Sequence, residues 1–128
     1  MTNYLIDTHT LLWHLEDSKL LPEPIKQLVE SPTNKISISI ASLWEIAIKV
    51  NIGKLKLITP YHNLQIDLLR VGIRIVPINF THLQTYLTLA PHHKDPFDRM
   101  LIAQAITENF VIIGSDEIFD KYPVMRIW

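Results

Sequence analysis

Four carboxylates in this chain stand at one kind of place, where a strand signal hands over to a helix signal or a helix begins. Asp7 directly follows the apolar run Tyr4-Leu5-Ile6, and Glu45 lies in the first turn after the alternating run Ile36-Ser37-Ile38-Ser39-Ile40. Asp98 lies in the first turn of a helix opened by Asp95-Pro96, and Asp116 comes three residues after the β-branched run that ends at Ile113. In open α/β sheets, ligands collect at the carboxyl ends of the strands. Acids crowded there at low dielectric repel one another or take up protons. A hard divalent cation with oxygen ligands, Mg²⁺ or Mn²⁺, relieves both. Such a site polarises a phosphoryl oxygen, lowers the pKa of a bound water and stabilises a leaving oxygen, which is phosphodiester hydrolysis without a covalent protein intermediate.

Each acid also has a plainer reading. Carboxylates are favoured in the first turn of a helix, where they cap free N–H groups and complement the dipole. Ser42-Leu43-Trp44-Glu45 fits the capping-box pattern Ser-x-x-Glu, Asp95 with Pro96 reads as a cap and first helical residue, and Asp116 can cap the turn after it. Asp98 breaks the pattern. It shares a helical face with Ile102, Ala105 and Ile106, so it points with the core stripe, where a capping acid has no need to be. Other chemistries lack their residues: with three glycines there is no GxxxxGK and no GxGxxG, there is no HExxH, and without cysteine there is no disulfide, zinc-thiolate site or thiol nucleophile.

The elements that must position these acids alternate in type. Strands are expected at Tyr4 to Ile6, Ile36 to Ile40, Ile73 to Val76, Phe110 to Ile113 and Val124 to Trp128. Helices are expected over residues 8 to 16, from Pro22 and Pro24 to about Ser31, over Ala41 to Asn51, from Thr59-Pro60 to Gly72 with Leu64, Leu68 and Leu69 inward, from the Asn79 cap to about Leu89, and from Asp95-Pro96 to about Asn109, with a helical turn over Asp116 to Lys121. Strands alternating with helices imply a mainly parallel central sheet covered on both faces, a three-layer α/β/α sandwich. At 128 residues, 48% hydrophobic and 20% charged, one domain spanning residues 1 to 128 is expected. The segment Ala41 to Asn51, followed by Ile52, has almost no polar face, which predicts either burial on two sides as a central helix or a homodimer contact.

No apolar run approaches the roughly 18 residues that span a bilayer. Asp7 interrupts the first apolar stretch and no basic segment precedes it, which argues against a signal peptide; with the missing cysteines, a cytoplasmic setting is expected. The net charge of -1 excludes nucleic-acid binding by a generally basic surface. A nuclease of this charge can still work if metal ions at the site supply the local positive charge that side chains do not.

Leu5-Ile6-Asp7-Thr8-His9-Thr10-Leu11-Leu12-Trp13, Ser39-Ile40-Ala41-Ser42-Leu43-Trp44-Glu45-Ile46-Ala47-Ile48-Lys49, Asp95-Pro96-Phe97-Asp98-Arg99-Met100-Leu101-Ile102-Ala103-Gln104-Ala105 and Ser115-Asp116 together resemble PIN-domain proteins, and most closely VapC-type toxins of bacterial type II toxin–antitoxin modules. The likeness runs in order along essentially the whole chain. It implies a Mg²⁺- or Mn²⁺-dependent endoribonuclease acting on RNA, usually a homodimer, silenced by a cognate antitoxin that covers the acidic site. Carried over by position, Asp7, Glu45, Asp98 and Asp116 become the metal-binding catalytic acids. Family members commonly carry Thr-x-Asp at the last motif; here Gly114-Ser115-Asp116 stands instead, Glu117 and Asp120 compete for the role, and Ser115 is left to donate a hydrogen bond to a carboxylate.

The neighbours of these acids carry paired readings. Thr8 either orients Asp7 and meets metal-bound water or simply begins a helix. Lys49, four residues after Glu45, is a helical ion pair or a phosphate contact. Arg99 reaches a substrate phosphate or an antitoxin carboxylate, or is solvated. In His92-His93-Lys94, His93 is a substrate contact or a solvated loop residue. Trp13, Trp44 and Trp128 sit in apolar contexts and read as core or dimer contacts rather than base-stacking platforms. Two other functions compete: a catalytically inactive RNA- or protein-binding module on the same fold, and a haloacid-dehalogenase-like phosphatase, which His9 disfavours by standing where a second aspartate belongs.

Overall fold

A computed structural model describes residues 2–128. The chain runs β1 (Asn3–Ile6), α1 (Thr8–Leu15), α2 (Glu23–Glu30), β2 (Lys35–Ser39), α3 (Ile40–Asn51), a 3-10 turn (Tyr61–Asn63), α4 (Leu64–Val71), β3 (Arg74–Val76), α5 (Phe80–Leu87), α6 (Pro96–Glu108), β4 (Val111–Ile113), a second 3-10 turn (Glu117–Lys121) and β5 (Met125–Ile127). The five strands form one sheet in the order β3-β2-β1-β4-β5, and every neighbouring pair is parallel. The strand that ends in Asp7 is therefore the middle one, in register with Ile38 of β2 and Ile113 of β4 through Ile6.

The three layers follow from strand alternation. Ile6, Ile36, Ile38 and Ile113 point to one face, where Leu11, Leu12, Ile25, Val29, Leu43, Ile46, Leu64 and Leu68 from α1 to α4 cover them. Leu5, Ile112 and Val76 point to the other, against Leu101, Ile102 and Ala105 of α6 with Phe119 and Tyr122. In β2 the polar half of the alternation is also buried, since Ser37 and Ser39 lie under the second layer. A sheet covered on both sides leaves no wet face for the period-two pattern to report.

Three expectations are corrected. Ile40 opens α3 rather than closing β2, because Ser39 caps the helix by accepting from the Ala41 N–H at 3.0 Å. Leu69 is 76% exposed: Leu64 and Leu68 share the inner stripe of α4, and Leu69 falls more than a quarter of a turn outside it. Helix α3 is not buried on two sides within the chain. Leu43 and Ile46 face the core, while Ile40, Trp44, Ile48 and Ile52, one every four residues, form an exposed apolar row with Trp44 60% accessible.

Helix α5 is held to α6 by a buried histidine. Asn79 Oδ1 accepts from the His82 N–H at 3.0 Å, and the Asn79 N–H donates to His82 Nδ1 at 3.1 Å. Nδ1 is thus the acceptor, which puts the ring proton on Nε2, 2.8 Å from Glu108 Oε2. Ile38, fully buried between β1 and β3, tests the core: Ile38→Ala is expected to cost about 2–5 kcal/mol in urea unfolding with the slope unchanged.

Candidate active site

Parallel pairing delivers the ends of β1, β2 and β4 to one edge of the sheet, and the four sequence-predicted acids gather around it from different elements. Asp7 is buried at the end of β1 and caps α1. Its Oδ1 accepts from the Thr10 N–H at 2.9 Å and from the Thr10 hydroxyl at 2.6 Å, and that hydroxyl also lies 3.2 Å from the Ile113 carbonyl. One oxygen is thereby tied to the protein, and Oδ2 is left facing Gly114. A Cβ placed on Gly114 would sit 2.8 Å from Oδ2 and 3.0 Å from Cγ, so glycine here is what admits the carboxylate. Burial raises the Asp7 pKa above the ordinary value, against the Thr10 hydrogen bonds and the nearby His9, while Asp116 adds to the rise.

Glu45 is buried as well, but in the second turn of α3, so the predicted Ser42–Glu45 capping box does not form; Ser39 is the cap. Its oxygens are both engaged, Oε1 by the Thr8 hydroxyl at 2.8 Å and Oε2 by Lys49 Nζ at 2.9 Å. Thr8 therefore orients Glu45, not Asp7, and Lys49 makes the i,i+4 helical pair. The Ser42 hydroxyl, one turn before Glu45, is buried without a hydrogen-bond partner.

Asp98 carries the clearest electrostatic signature. Asp95 caps α6, its Oδ1 accepting from the N–H groups of Phe97 and Asp98 at 2.9 and 3.0 Å, which frees the Asp98 side chain from capping. Ile102 and Ala105 of the same face are buried, and Ile106 drifts to partial exposure. The Asp98 pKa is pushed up to about 7, first by burial and then by the charges of Asp95, Asp7, Glu45 and Asp116. Three of those four charges belong to the predicted set, so the acids do act on one another across helices α1, α3 and α6. Asp116 is exposed and caps the second 3-10 turn by accepting from the Ile118 N–H at 3.0 Å, yet its charge raises both Asp7 and Asp98. Its rival Asp120 is committed to Arg126 through two contacts of 2.9 Å, and the charge of Glu117 acts on Arg126.

The supporting residues divide differently from their sequence readings. Ser115 makes no hydrogen bond to a carboxylate among the described residues; the hydroxyl that serves Asp7 comes from Thr10. Thr10 stands three residues after the cap, the spacing at which a side chain and backbone N–H meet the capping oxygen, and that spacing was the available signal. Arg99 is neither solvated nor free. Nη1 donates to the carbonyls of Ala90 and His93 at 2.9 and 3.3 Å and to the Tyr122 hydroxyl at 3.0 Å, and the guanidinium lies 5.2 Å from the Tyr86 ring centre. His93 is half-buried, with Nδ1 2.8 Å from the same Tyr122 hydroxyl and Nε2 3.6 Å from Asp98 Oδ2. Burial lowers the His93 pKa, so at neutral pH the ring beside Asp98 is uncharged. Tyr122, which links Arg99 to His93, had no sequence signal.

The donor set fits a divalent cation. It consists of carboxylate oxygens, the Asp98 pKa is pushed up to about 7 by burial and by neighbouring acids, and the Ser42 hydroxyl is buried without a partner. Among the described residues, no three acids or histidines stand close enough together to hold a metal ion as they are.

Comparison with known proteins bears on the family and the fold. The PIN domain family model matches residues 4–125. No curated protein matches the sequence. Among solved structures, VapBC2 from Rickettsia felis, bound to a DNA fragment from its promoter, superposes with a TM-score of 0.71 at 18% identity over 99% of each chain. DNA-bound VapBC from Salmonella typhimurium gives 0.71 at 19% identity, covering 100% of this chain and 98% of the other. A toxin–antitoxin complex from Klebsiella pneumoniae gives 0.67 at 17% identity, covering 98% and 97%. At these identities the likeness is one of fold.

Two outcomes test the site. A folded-state pKa near 7 against 3.8 unfolded means that the native state holds the Asp98 proton longer, so apo stability falls as pH rises from about 4 to 7. Asp98→Asn is expected to flatten that fall, raising apo stability by a few kcal/mol at pH 8 and little at pH 4, and to abolish stabilisation by Mg²⁺. Thermal melts across pH with and without Mg²⁺ read both. Gly114→Ala is expected to cost about 1–3 kcal/mol and to weaken Mg²⁺ stabilisation, because the methyl group displaces Asp7.

Proposed function

We infer that this chain, which belongs to the PIN domain family, is a divalent-metal-dependent endoribonuclease and the toxin half of a two-protein module of the VapBC kind. The observation that carries the reading is Asp98, an inward carboxylate whose pKa is pushed up to about 7 by burial and by Asp7, Glu45 and Asp116 among its neighbours. A structural cap does not require that crowding.

Asp7 and Asp98 would hold Mg²⁺ or Mn²⁺, with Glu45 and Asp116 completing the site. When bound, the cation polarises the phosphoryl oxygen and lowers the pKa of an attacking water. The chain's own residues supply position. Thr10 pins one oxygen of Asp7 and leaves the other beside Gly114; Thr8 and Lys49 fix both oxygens of Glu45. Tyr122 holds a neutral His93 next to Asp98, where the ring adds no competing positive charge.

A protein partner is supported by the neighbours, which are two-protein toxin–antitoxin complexes. The surface available to an antitoxin or a second copy is the row Ile40, Trp44, Ile48 and Ile52 on α3 together with an apolar groove of about 250 Å³ lined by Trp44, Leu83, Tyr86, Phe97 and Met100. Contiguous exposed apolar surface of this kind marks interaction sites. No helix among the described residues is long and apolar enough to cross a membrane.

The deciding experiment incubates the purified chain with structured RNA and Mn²⁺ beside Asp7→Asn. We expect endonucleolytic cleavage that EDTA stops and that the substitution abolishes. Cleavage that survives Asp7→Asn would move the activity to another site.

A further inference from the structure

Three basic side chains beside the acids are already engaged. Lys49 is paired with Glu45, Arg99 is tied to three loop carbonyls and Tyr122, and Arg126 is held by Asp120 and by the Gly114 carbonyl at 3.1 Å. The net charge is -1. Lys49, Arg99 and Arg126 therefore contribute little phosphate binding, although phosphate contacts dominate most protein–nucleic-acid affinity. A strand held here needs a second, uncharged source of affinity.

A row of aromatic rings lies beside the acids. His9 sits in the first turn of α1, two residues after Asp7, and its ring is exposed and makes no hydrogen bond among the described residues. Its centroid is 5.8 Å from that of Trp13 at an interplanar angle of 37°. Trp13 in turn lies 5.8 Å from Trp128 at 52°. Trp128 follows β5 at the same carboxyl edge, where the preceding Ile127 carbonyl accepts from the Gly114 N–H at 3.3 Å. The row thus starts next to Asp7 and ends behind the Gly114–Asp116 turn. Core packing accounts for Trp13, which rests on the first hydrophobic layer. It does not account for His9, a polar ring turned to solvent, or for Trp128, still 38% exposed. The tilts make a stair of separate faces, with the His9 face open.

We propose that His9, Trp13 and Trp128 form a stacking row for an unpaired nucleobase of the strand that the carboxylates engage. The proposal rests on the ribonuclease reading and adds a substrate requirement to it: the nucleotide beside the scissile phosphate must be unpaired, because a base within a duplex has no free face to stack. Stacking is tolerant of base identity, so the row selects for single-strandedness more than for sequence.

Tryptophan fluorescence tests this directly. Trp44 lies apart on α3, so Trp44→Phe leaves Trp13 and Trp128 as reporters. In that background, with Ca²⁺ in place of Mg²⁺ so that the strand is held but not cut, an RNA single strand is expected to quench emission, and its duplex or an abasic strand of equal length to bind at least about tenfold more weakly. His9→Ala is expected to raise the Kd for the single strand about tenfold and His9→Phe to restore it, with the melting temperature unchanged because the ring is exposed. Equal affinity for the abasic and complete strands, or unchanged Kd and KM in His9→Ala and Trp128→Leu, overturns the stacking row and leaves the ribonuclease reading standing if Mn²⁺-dependent cleavage persists. Quenching by the single strand without any cleavage under Mn²⁺ upholds the row and overturns the ribonuclease reading.

Discussion

Like charge gathered at one edge of a parallel sheet is the constraint to which the rest of this structure answers. Asp7, Glu45, Asp98 and Asp116 come from four elements far apart in sequence, and the parallel register of β1, β2 and β4 brings them to a common edge. The fold tolerates them by unequal means. Asp7 and Glu45 are buried but hydrogen-bonded, Asp116 remains in solvent, and Asp98 carries its burial, and after that the charge of its neighbours, as a proton affinity raised to neutrality. A group poised at that value exchanges its proton for a metal ion at little cost near pH 7.

The same constraint explains where the cations are. Arginine and lysine side chains lie close to the acids, yet Lys49 is spent on Glu45, Arg126 on Asp120, and Arg99 on the loop that carries His93. They brace the scaffold instead of neutralising Asp98. Had one of them bridged Asp7 and Asp98, the chain itself would have neutralised the pair. The arrangement keeps the site acidic by engaging its neighbouring bases elsewhere.

Much of this was legible in the residues. The strand–helix alternation, the caps at Asn79 and Asp95, and the inward bias of Asp98 all rest on local periodicity, and each is found in the structure. What escaped depends on contacts between distant segments. The Thr10 hydroxyl reaches Asp7 within one turn, but its second contact, to the Ile113 carbonyl, exists only because β4 lies beside β1. Arg99 looked free because its partners, three loop carbonyls and Tyr122, are brought to it only by folding. The α3 row was correctly seen as too apolar for an ordinary surface, but its pattern alone could not tell a buried helix from an exposed one awaiting a partner. Trp13 and Trp128, read as packing residues, do pack, and only the sheet shows that they pack in line with His9.

The seat of Asp7 has a consequence in time. Its backbone N–H bonds the Ile113 carbonyl at 3.0 Å, and the Thr10 hydroxyl that fixes its side chain reaches the same carbonyl across 103 positions of chain. Asp98, in α6, and Gly114, which makes room for the carboxylate, also arrive late. A nascent polypeptide that has not yet emerged past β4 carries the first acid without the strand that seats it. The site can therefore be completed only after β4 and Gly114 have been synthesised and have joined β1.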